Sequence, residues 1–194
     1  MAEIYMIMGK SSSGKDTVYK KLREDERLGL FPVTVYTTRP MRRGEMNGKE
    51  YFFTDEDHVK KFEKENKIVE LRSYNTVHGI WKYFTVDDGQ IDMHSSCKYV
   101  IIGTLDSFEK FRNYYGKDAV IPIYIEVEDK ERIHRALERE DRQISPDYKE
   151  MCRRFVADEN DFSEERLRAA GIGKRYRNDS LDECVNEISG DILS

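Results

Sequence analysis

Apolar residues along this chain fall into two kinds of pattern. Ile4-Tyr5-Met6-Ile7-Met8, Tyr99-Val100-Ile101-Ile102 and Val120 to Val127 are apolar runs with little alternation. Such runs predict strands covered on both faces, as in a parallel sheet. Between them the spacing changes to three and four. Val18 and Leu22 mark a helix over Thr17 to Arg27, closed by Leu28-Gly29-Leu30, and Leu105 to Tyr115 reads as a second. Asp129 to Arg139 follows, with Ile133 and Leu137 four apart, and then a long helix from Asp147 to about Leu167 carrying Met151, Phe155 and Phe162, opened by Ser145 as N-cap and Pro146 at its first position. Lys174 to Arg177 is expected as an edge strand and Leu181 to Ser189 as the last helix. Strand and helix in alternation predict an α/β fold with a parallel core sheet.

One region breaks that alternation. Phe31 to Val35 reads as a short buried strand and Tyr51 to Phe53 as another. Thr54 to Asp57 resembles a capping box for a helix over Asp55 to Glu65, whose apolar side is Val59 and Phe62. Ile68 to Tyr74 alternates as a strand, Asn75 to Gly79 as a turn, and Ile80 to Thr85 as its partner. Residues 34–95 are therefore expected to form an inserted mixed α/β subdomain over the carboxyl ends of the core strands, where such folds bind ligands. The core is expected over 1–33 and 96–194.

Composition narrows the function. With 194 residues, the chain is expected to be one whole domain rather than a fragment, and 38% hydrophobic with 11% aromatic residues suffices for a core. A formal charge of -5 argues against a general nucleic-acid-binding role, which needs a basic face. Cys97, Cys152 and Cys184 lack a C-x-x-C spacing, and His58, His78, His94 and His134 lack a zinc spacing, so no disulfide framework or zinc site is expected. A reducing cytoplasm is the expected setting. The N-terminal apolar run is too short for a signal peptide or a membrane span.

The chemistry starts after the first strand. Gly9-Lys10-Ser11-Ser12-Ser13-Gly14-Lys15 has the spacing G-x-x-x-x-G-K, placed between a strand and a helix. Glycines at those positions let backbone N–H groups converge on phosphate oxygens, the helix N-terminus adds positive potential, and Lys15 reaches the β- and γ-phosphates. Asp16 stands where a hydroxyl residue normally ligates magnesium, with Thr17 one place later. Its anionic oxygen suits the same metal, and it also suits a helix N-terminus. The polar stretch Arg139 to Pro146 between two helices reads as a solvated connection or as a phosphate-closing lid, about 139–147, with Arg135, Arg139 and Arg154 nearby.

These residues resemble the guanylate kinase family over nearly the whole chain. The most specific stretch is Thr37-Thr38-Arg39-Pro40-x-Arg42-x-Gly44-Glu45-x-Asn47-Gly48-x-x-Tyr51-x-Phe53. The resemblance implies a three-layer P-loop kinase with a short lid, which transfers the γ-phosphoryl group of ATP to GMP with Mg²⁺. It further implies that Arg39, Arg42 and Tyr51 hold the acceptor phosphate, that Glu70 accepts from guanine N1–H and its amino group, and that Tyr83 and Thr85 contact phosphate and base. Arg135, Arg139 and Arg154 would neutralise the transferring group, and Asn178 would sit near the adenine of ATP. Besides Asp16, three places depart from the pattern. Val35 replaces a base-contacting serine, Phe84 replaces a glycine, and the strand end 101–106 carries only Asp106 where the family has a close aspartate pair. A different acceptor nucleotide, or a non-catalytic peptide-binding module of the same family, are the competing readings.

Overall fold

The structure is a computed structural model describing residues 1–76 and 79–194; His78 and part of the turn expected over 75–79 lie outside the described residues. The core is a five-stranded sheet. β1 (Glu3–Met8) lies at its centre between β7 (Lys98–Ile102) and β8 (Val120–Glu126), with β2 (Leu30–Pro32) and β9 (Tyr176–Arg177) at the edges, and every pairing is parallel.

The unalternating runs have a direct cause. Ile4, Met6 and Met8 face one core with Phe108 and Phe111 of α3 (Leu105–Tyr115), while Tyr5 and Ile7 face another with Val18 and Leu22 of α1 (Lys15–Glu24) and Ile188 and Ile192 of α7 (Leu181–Leu193). A strand apolar on both faces is the product of helices on both faces, and the three layers follow.

A second, four-stranded sheet has the order β4 (Phe52–Phe53), β3 (Tyr36–Thr37), β6 (Gly79–Val86), β5 (Ile68–Thr76). Its strands mix directions: β3 and β4 are parallel, while β5 and β6 form an antiparallel hairpin. α2 (Glu56–Lys64) covers one face, where Val59 packs with Phe84 and Val86. Phe84 is fully buried there and stacks on Tyr36 at 5.4 Å, so a large side chain in place of the family's glycine fills this small core. The opposite face, with Glu70, Arg72, Thr85 and Tyr83, is left for chemistry.

Several boundaries differ from expectation, each for a local reason. α1 stops at Glu24 because Asp25 caps a 3₁₀ turn over Glu26–Leu28. The strand expected over Phe31 to Val35 splits into β2, an exposed edge strand, and β3 in the second sheet. Asp55, rather than Thr54, caps α2 by accepting from His58 N–H at 2.9 Å. The long helix expected over Asp147 to Leu167 is two helices, α5 (Tyr148–Asp161) and α6 (Glu164–Ala169), because Ser163 accepts from Arg166 N–H and starts a new one. Asp147, not Ser145, caps α5, and buried Glu140 of α4 (Asp129–Asp141) accepts from Asp147 N–H at 2.7 Å.

α4 also turns the other way from its apolar pattern. Ile133 and Leu137 are exposed, while Arg132, Ala136 and Glu140 are buried. The inward-facing Arg132 and Glu140 are both satisfied by polar partners, Arg132 by Asp158 and Glu159 and Glu140 by Asp147 N–H, so these charges can lie inside.

Burial also sorts the cysteines. Cys184 is buried and its thiol is pushed up to about 11, chiefly by burial, whereas Cys152 is exposed. At pH 7.5 a disulfide reagent is expected to label Cys152 within minutes and to reach Cys184 only on unfolding. Rapid labelling of Cys184 in the native protein would contradict this packing.

Candidate active site

The loop between β1 and α1 takes backbone conformations that its glycines permit. Gly14 has φ 81° and Gly9 φ 157°. A methyl on Gly14 would lie 2.4 Å from Asn178 Nδ2, and one on Gly9 2.5 Å from Ile125 O, so neither position admits a side chain. Ser12 is left-handed at φ 63°, and its hydroxyl and that of Ser13 are buried with no hydrogen-bond partner among the described residues. Successive turn conformations of this kind aim N–H groups into a concavity suited to an anion.

Two sequence-expected residues are brought to this loop. Asn178 donates from Nδ2 to Ser13 O at 2.7 Å, and its own carbonyl accepts from Arg135 Nη2 at 3.1 Å. Lys15 is half-buried at the start of α1, and Asp16 and Thr17 beside it are exposed. An acid in the first turn suits the helix dipole. Among the described residues no three His, Cys, Asp or Glu side chains converge as a metal cage. A single carboxylate on a phosphate loop nevertheless fits magnesium, which takes one or two protein carboxylates and fills its shell with phosphate oxygens and water.

The back of the loop is held by a network that the sequence reading missed. Arg132, 1% exposed, donates to Ser11 O at 3.1 Å and pairs with Asp129, Asp158 and Glu159 at 2.6, 3.1 and 3.0 Å, with its guanidinium over the Phe155 ring. Asp158 accepts from Ser11 N–H at 2.7 Å, and Lys10 pairs with Glu159 at 2.6 Å, so Lys10 and Ser11 are turned toward α5. Burial pushes Glu159 up, but hydrogen bonds from Lys10 and Arg132 outweigh it and hold the carboxyl below its ordinary range. Three carboxylates gathered by one buried cation were the available signal.

The other lid arginines stand apart. Arg154 is exposed and pairs within α5 with Glu150, whose carboxyl is held down at about 2, first by Arg153 and then by Arg154. Arg139 is exposed, with no hydrogen bond or ion pair among the described residues. Asp106 pairs with Arg166 on α6 and is not directed at this site.

The open face of the second sheet gathers the remaining set. Arg39 is 3% exposed and makes a two-pronged pair with Glu45 at 2.8 and 3.0 Å, its guanidinium over the rings of Tyr51 and Phe53. That pair holds Glu45 well below the usual carboxylate range, chiefly through Arg39. Arg42 is exposed and contributes its backbone N–H to Glu45. Tyr51 packs edge-on against Tyr83 at 5.6 Å. Burial raises the Tyr51 hydroxyl, Tyr83 and Asp16 raise it further, and Arg39 and Arg72 oppose them.

Glu70 lies deeper on that face. Its carboxylate accepts from Arg72 Nε at 3.0 Å and from Arg72 Nη2, Thr85 Oγ1 and Ser107 Oγ at 3.3 Å. Ser107 in turn meets Thr104 Oγ1 at 3.0 Å, so α3 closes the pocket floor. Arg72 and Ser107 were not anticipated. The strand period of two, which puts residues 70 and 72 on one face, was the signal for the first.

The chain is similar to known proteins along most of its length. The family model described as guanylate kinase matches residues 1–189. The guanylate kinase of Porphyromonas gingivalis is 26% identical over 191 residues, covering 97% of this chain and 95% of that protein. That of Mycoplasma mobile is 30% identical over 130 residues, covering 63% and 62%. The match to the Mycoplasma protein thus spans somewhat under two thirds of its length. Among solved structures, guanylate kinase from Anaplasma phagocytophilum superposes with a TM-score of 0.63 over 98% of this chain and 85% of its own, at 19% identity, a likeness of fold. With a family match that runs from residue 1 to residue 189, the chain belongs to the guanylate kinase family.

Proposed function

We propose that this protein transfers the γ-phosphoryl group of ATP to GMP, giving ADP and GDP, with Mg²⁺ as the metal. The observation that carries the reading is the hydrogen bond from Ser107 Oγ, at the start of α3, to Glu70 on the open face of the second sheet, because α3 follows β7, which runs parallel beside β1 and ends next to the P-loop. A donor phosphate on the loop and an acceptor phosphate at the cluster then point at one another. In this reading residues 1–33 and 96–194 are the core, 34–95 the acceptor-binding insertion and about 139–147 a short lid.

The division of labour follows from the side chains. Gly9, Lys10, Ser11, Ser12, Ser13, Gly14, Lys15, Asp16 and Thr17 make the ATP phosphate site, and Asn178, tied to Ser13, closes it toward the adenine. Arg39, Arg42, Tyr51 and Tyr83 hold the acceptor phosphate, since guanidinium forks and phenolic hydroxyls suit its oxygens. Glu70 and Thr85 form the base end. Transfer in line needs no protein nucleophile, only position and compensation of charge, supplied by Lys15, Arg135, Arg139 and Arg154. Arg139 and Arg154 reach that role on lid closure, which frees Arg154 from Glu150. Asp16 would hold magnesium together with phosphate oxygens, and the metal would supply neutralisation of charge on the donor.

No nucleic acid or membrane partner is required, and no described helix is long and apolar enough to cross a membrane. The setting that fits an ATP-dependent nucleotide kinase with three free cysteines is the cytoplasm. Calorimetric titration with ATP tests the reading. Binding in the micromolar range supports it, and absence of ATP binding would leave only a peptide-binding module.

Asp16 offers a separate check. Its charge sits beside the donor phosphates, so Asp16→Ser should tighten metal-free ATP binding several-fold and flatten the dependence on magnesium. It should cost only about 0.5 kcal/mol of stability through the helix dipole. An identical magnesium effect in both proteins would reduce Asp16 to a favourable first-turn charge.

A further inference from the structure

Arg132 joins the phosphate loop to both helices that carry the lid arginines. It lies on α4, about one turn before Arg135 and two before Arg139. Its Nε donates to Ser11 O at 3.1 Å, while Nη2 meets Asp158 at 3.1 Å and Nη1 meets Glu159 at 3.0 Å, both on α5. Asp158 completes the clasp by accepting from Ser11 N–H at 2.7 Å, so one ion pair takes both backbone groups of a single loop residue. Arg154 lies one turn, about 6 Å along the axis, before Asp158 on the same helix. On the other side of the loop, Arg135 reaches Ser13 through Asn178. α4 thus grips the loop at two places. No residue of α5 is buried, so the place of that helix is set by these polar contacts rather than by an apolar core.

The chemistry of the clasp points beyond support. A buried ion cluster commonly stabilises a fold no better than well-packed hydrocarbon of similar volume, so stability alone does not account for it. What hydrocarbon cannot do is hold the N–H and the C=O of Ser11 at once, which takes a donor and an acceptor in fixed relation.

We propose that Arg132 is a positioning residue for phosphoryl transfer: by locking Ser11 to Asp158 it sets where Arg135, Arg139 and Arg154 stand relative to the phosphates on the loop. This rests on the kinase reading above and adds to it the part that registers the lid against the loop. Arg132 is 1% exposed, and Nε, Nη1 and Nη2 are all engaged inside the protein, so it acts through its partners and not on the nucleotide. A misplacement of about 1 Å remote from the chemistry can cost on the order of 100-fold in rate. The Arg39 cluster lies on the second sheet, outside the clasp, so loosening Arg132 should slow transfer without weakening the acceptor.

The test is steady-state transfer from ATP to GMP, measured well below the melting midpoint, with a melting curve for each protein: wild type, Arg132→Lys, Asp158→Asn and the double variant. Lysine keeps a cation among the carboxylates, but its one ammonium cannot serve Ser11 O and both acids of α5 together. Asparagine keeps an oxygen for Ser11 N–H and loses the charge that holds Arg132. Each single variant should lower kcat by about tenfold or more, with the KM for GMP within about twofold of wild type. The double variant should be little worse than the slower single one, because both break the same clasp. If Arg132→Lys does not fold, the same split in Asp158→Asn decides. Wild-type kcat in the folded variants, whatever the shift in melting temperature, would make Arg132 a support of the fold and overturn the proposal. A rise in the KM for GMP matching the fall in kcat would overturn it too, since the acceptor site would then depend on the clasp. Both results leave the kinase reading intact. Absence of transfer in the wild type would overturn that reading, and the proposal with it.

Discussion

Lys15→Ala is expected to lower turnover by roughly 10²–10³-fold, the scale set by removing one preorganised group that meets developing charge. Lys15 is half-buried, and no hydrogen bond or ion pair engages it among the described residues, so its loss leaves nothing unpaired in the fold. Thermal stability should change by no more than about 0.5 kcal/mol. The separation of the two effects is the content of the prediction. A lysine that served mainly to hold α1 against β1 would show the reverse, with lowered stability and near wild-type turnover. Rapid-quench measurement of a single turnover, beside a melting curve, distinguishes them.

Arg39→Ala should act on the acceptor alone, raising its KM on the order of 100-fold while ATP affinity stays within about twofold. Arg39 is nearly buried between two aromatic rings and Glu45, so its charge is fixed in place before a nucleotide arrives. Preorganisation of that kind makes a charged hydrogen bond worth about 1.5–3 kcal/mol. The same burial means that the substitution also costs stability, about 1–3 kcal/mol, because Glu45 and Pro40 O lose their donor. Arg39→Lys separates the contributions: it keeps the charge and some packing but loses the fork. KM for the acceptor should rise in both variants, and stability should fall mainly in the alanine one. Equal loss of ATP and acceptor binding would make Arg39 a support of the loop rather than a contact.

What was legible in the chain depended on whether a residue's neighbours are set by periodicity. The doubly covered strands read correctly because helices on both faces leave one pattern, an apolar run, and the P-loop read correctly because its glycines answer to backbone conformations at fixed offsets. The small sheet was harder. β3 and β4 are two residues long and owe their pairing to partners far along the chain, so local pattern could not separate β2 from β3. α4 misled because its apolar positions face outward, while Arg132 is drawn inward by three carboxylates, two of them on α5. Arg72 was overlooked for a related reason: a charged residue on a strand reads as solvent-facing until its partner is known to be buried.

The same comparison shows where the family's pattern and this chain part. Phe84 fits because it faces α2, away from the sheet's open face. Asp106 is committed to Arg166, and the buried Glu70 carboxylate is held instead by Arg72, Thr85 and Ser107.

The central claim is that this protein moves phosphate from ATP to a guanine mononucleotide. The most direct measurement follows ³¹P resonances of ATP and GMP mixed with the protein and magnesium. The account predicts loss of the ATP and GMP signals with matching growth of ADP and GDP, and no change when Lys15→Ala replaces the wild type over the same interval. Release of inorganic phosphate without GDP, or no reaction in the presence of bound ATP, would contradict it.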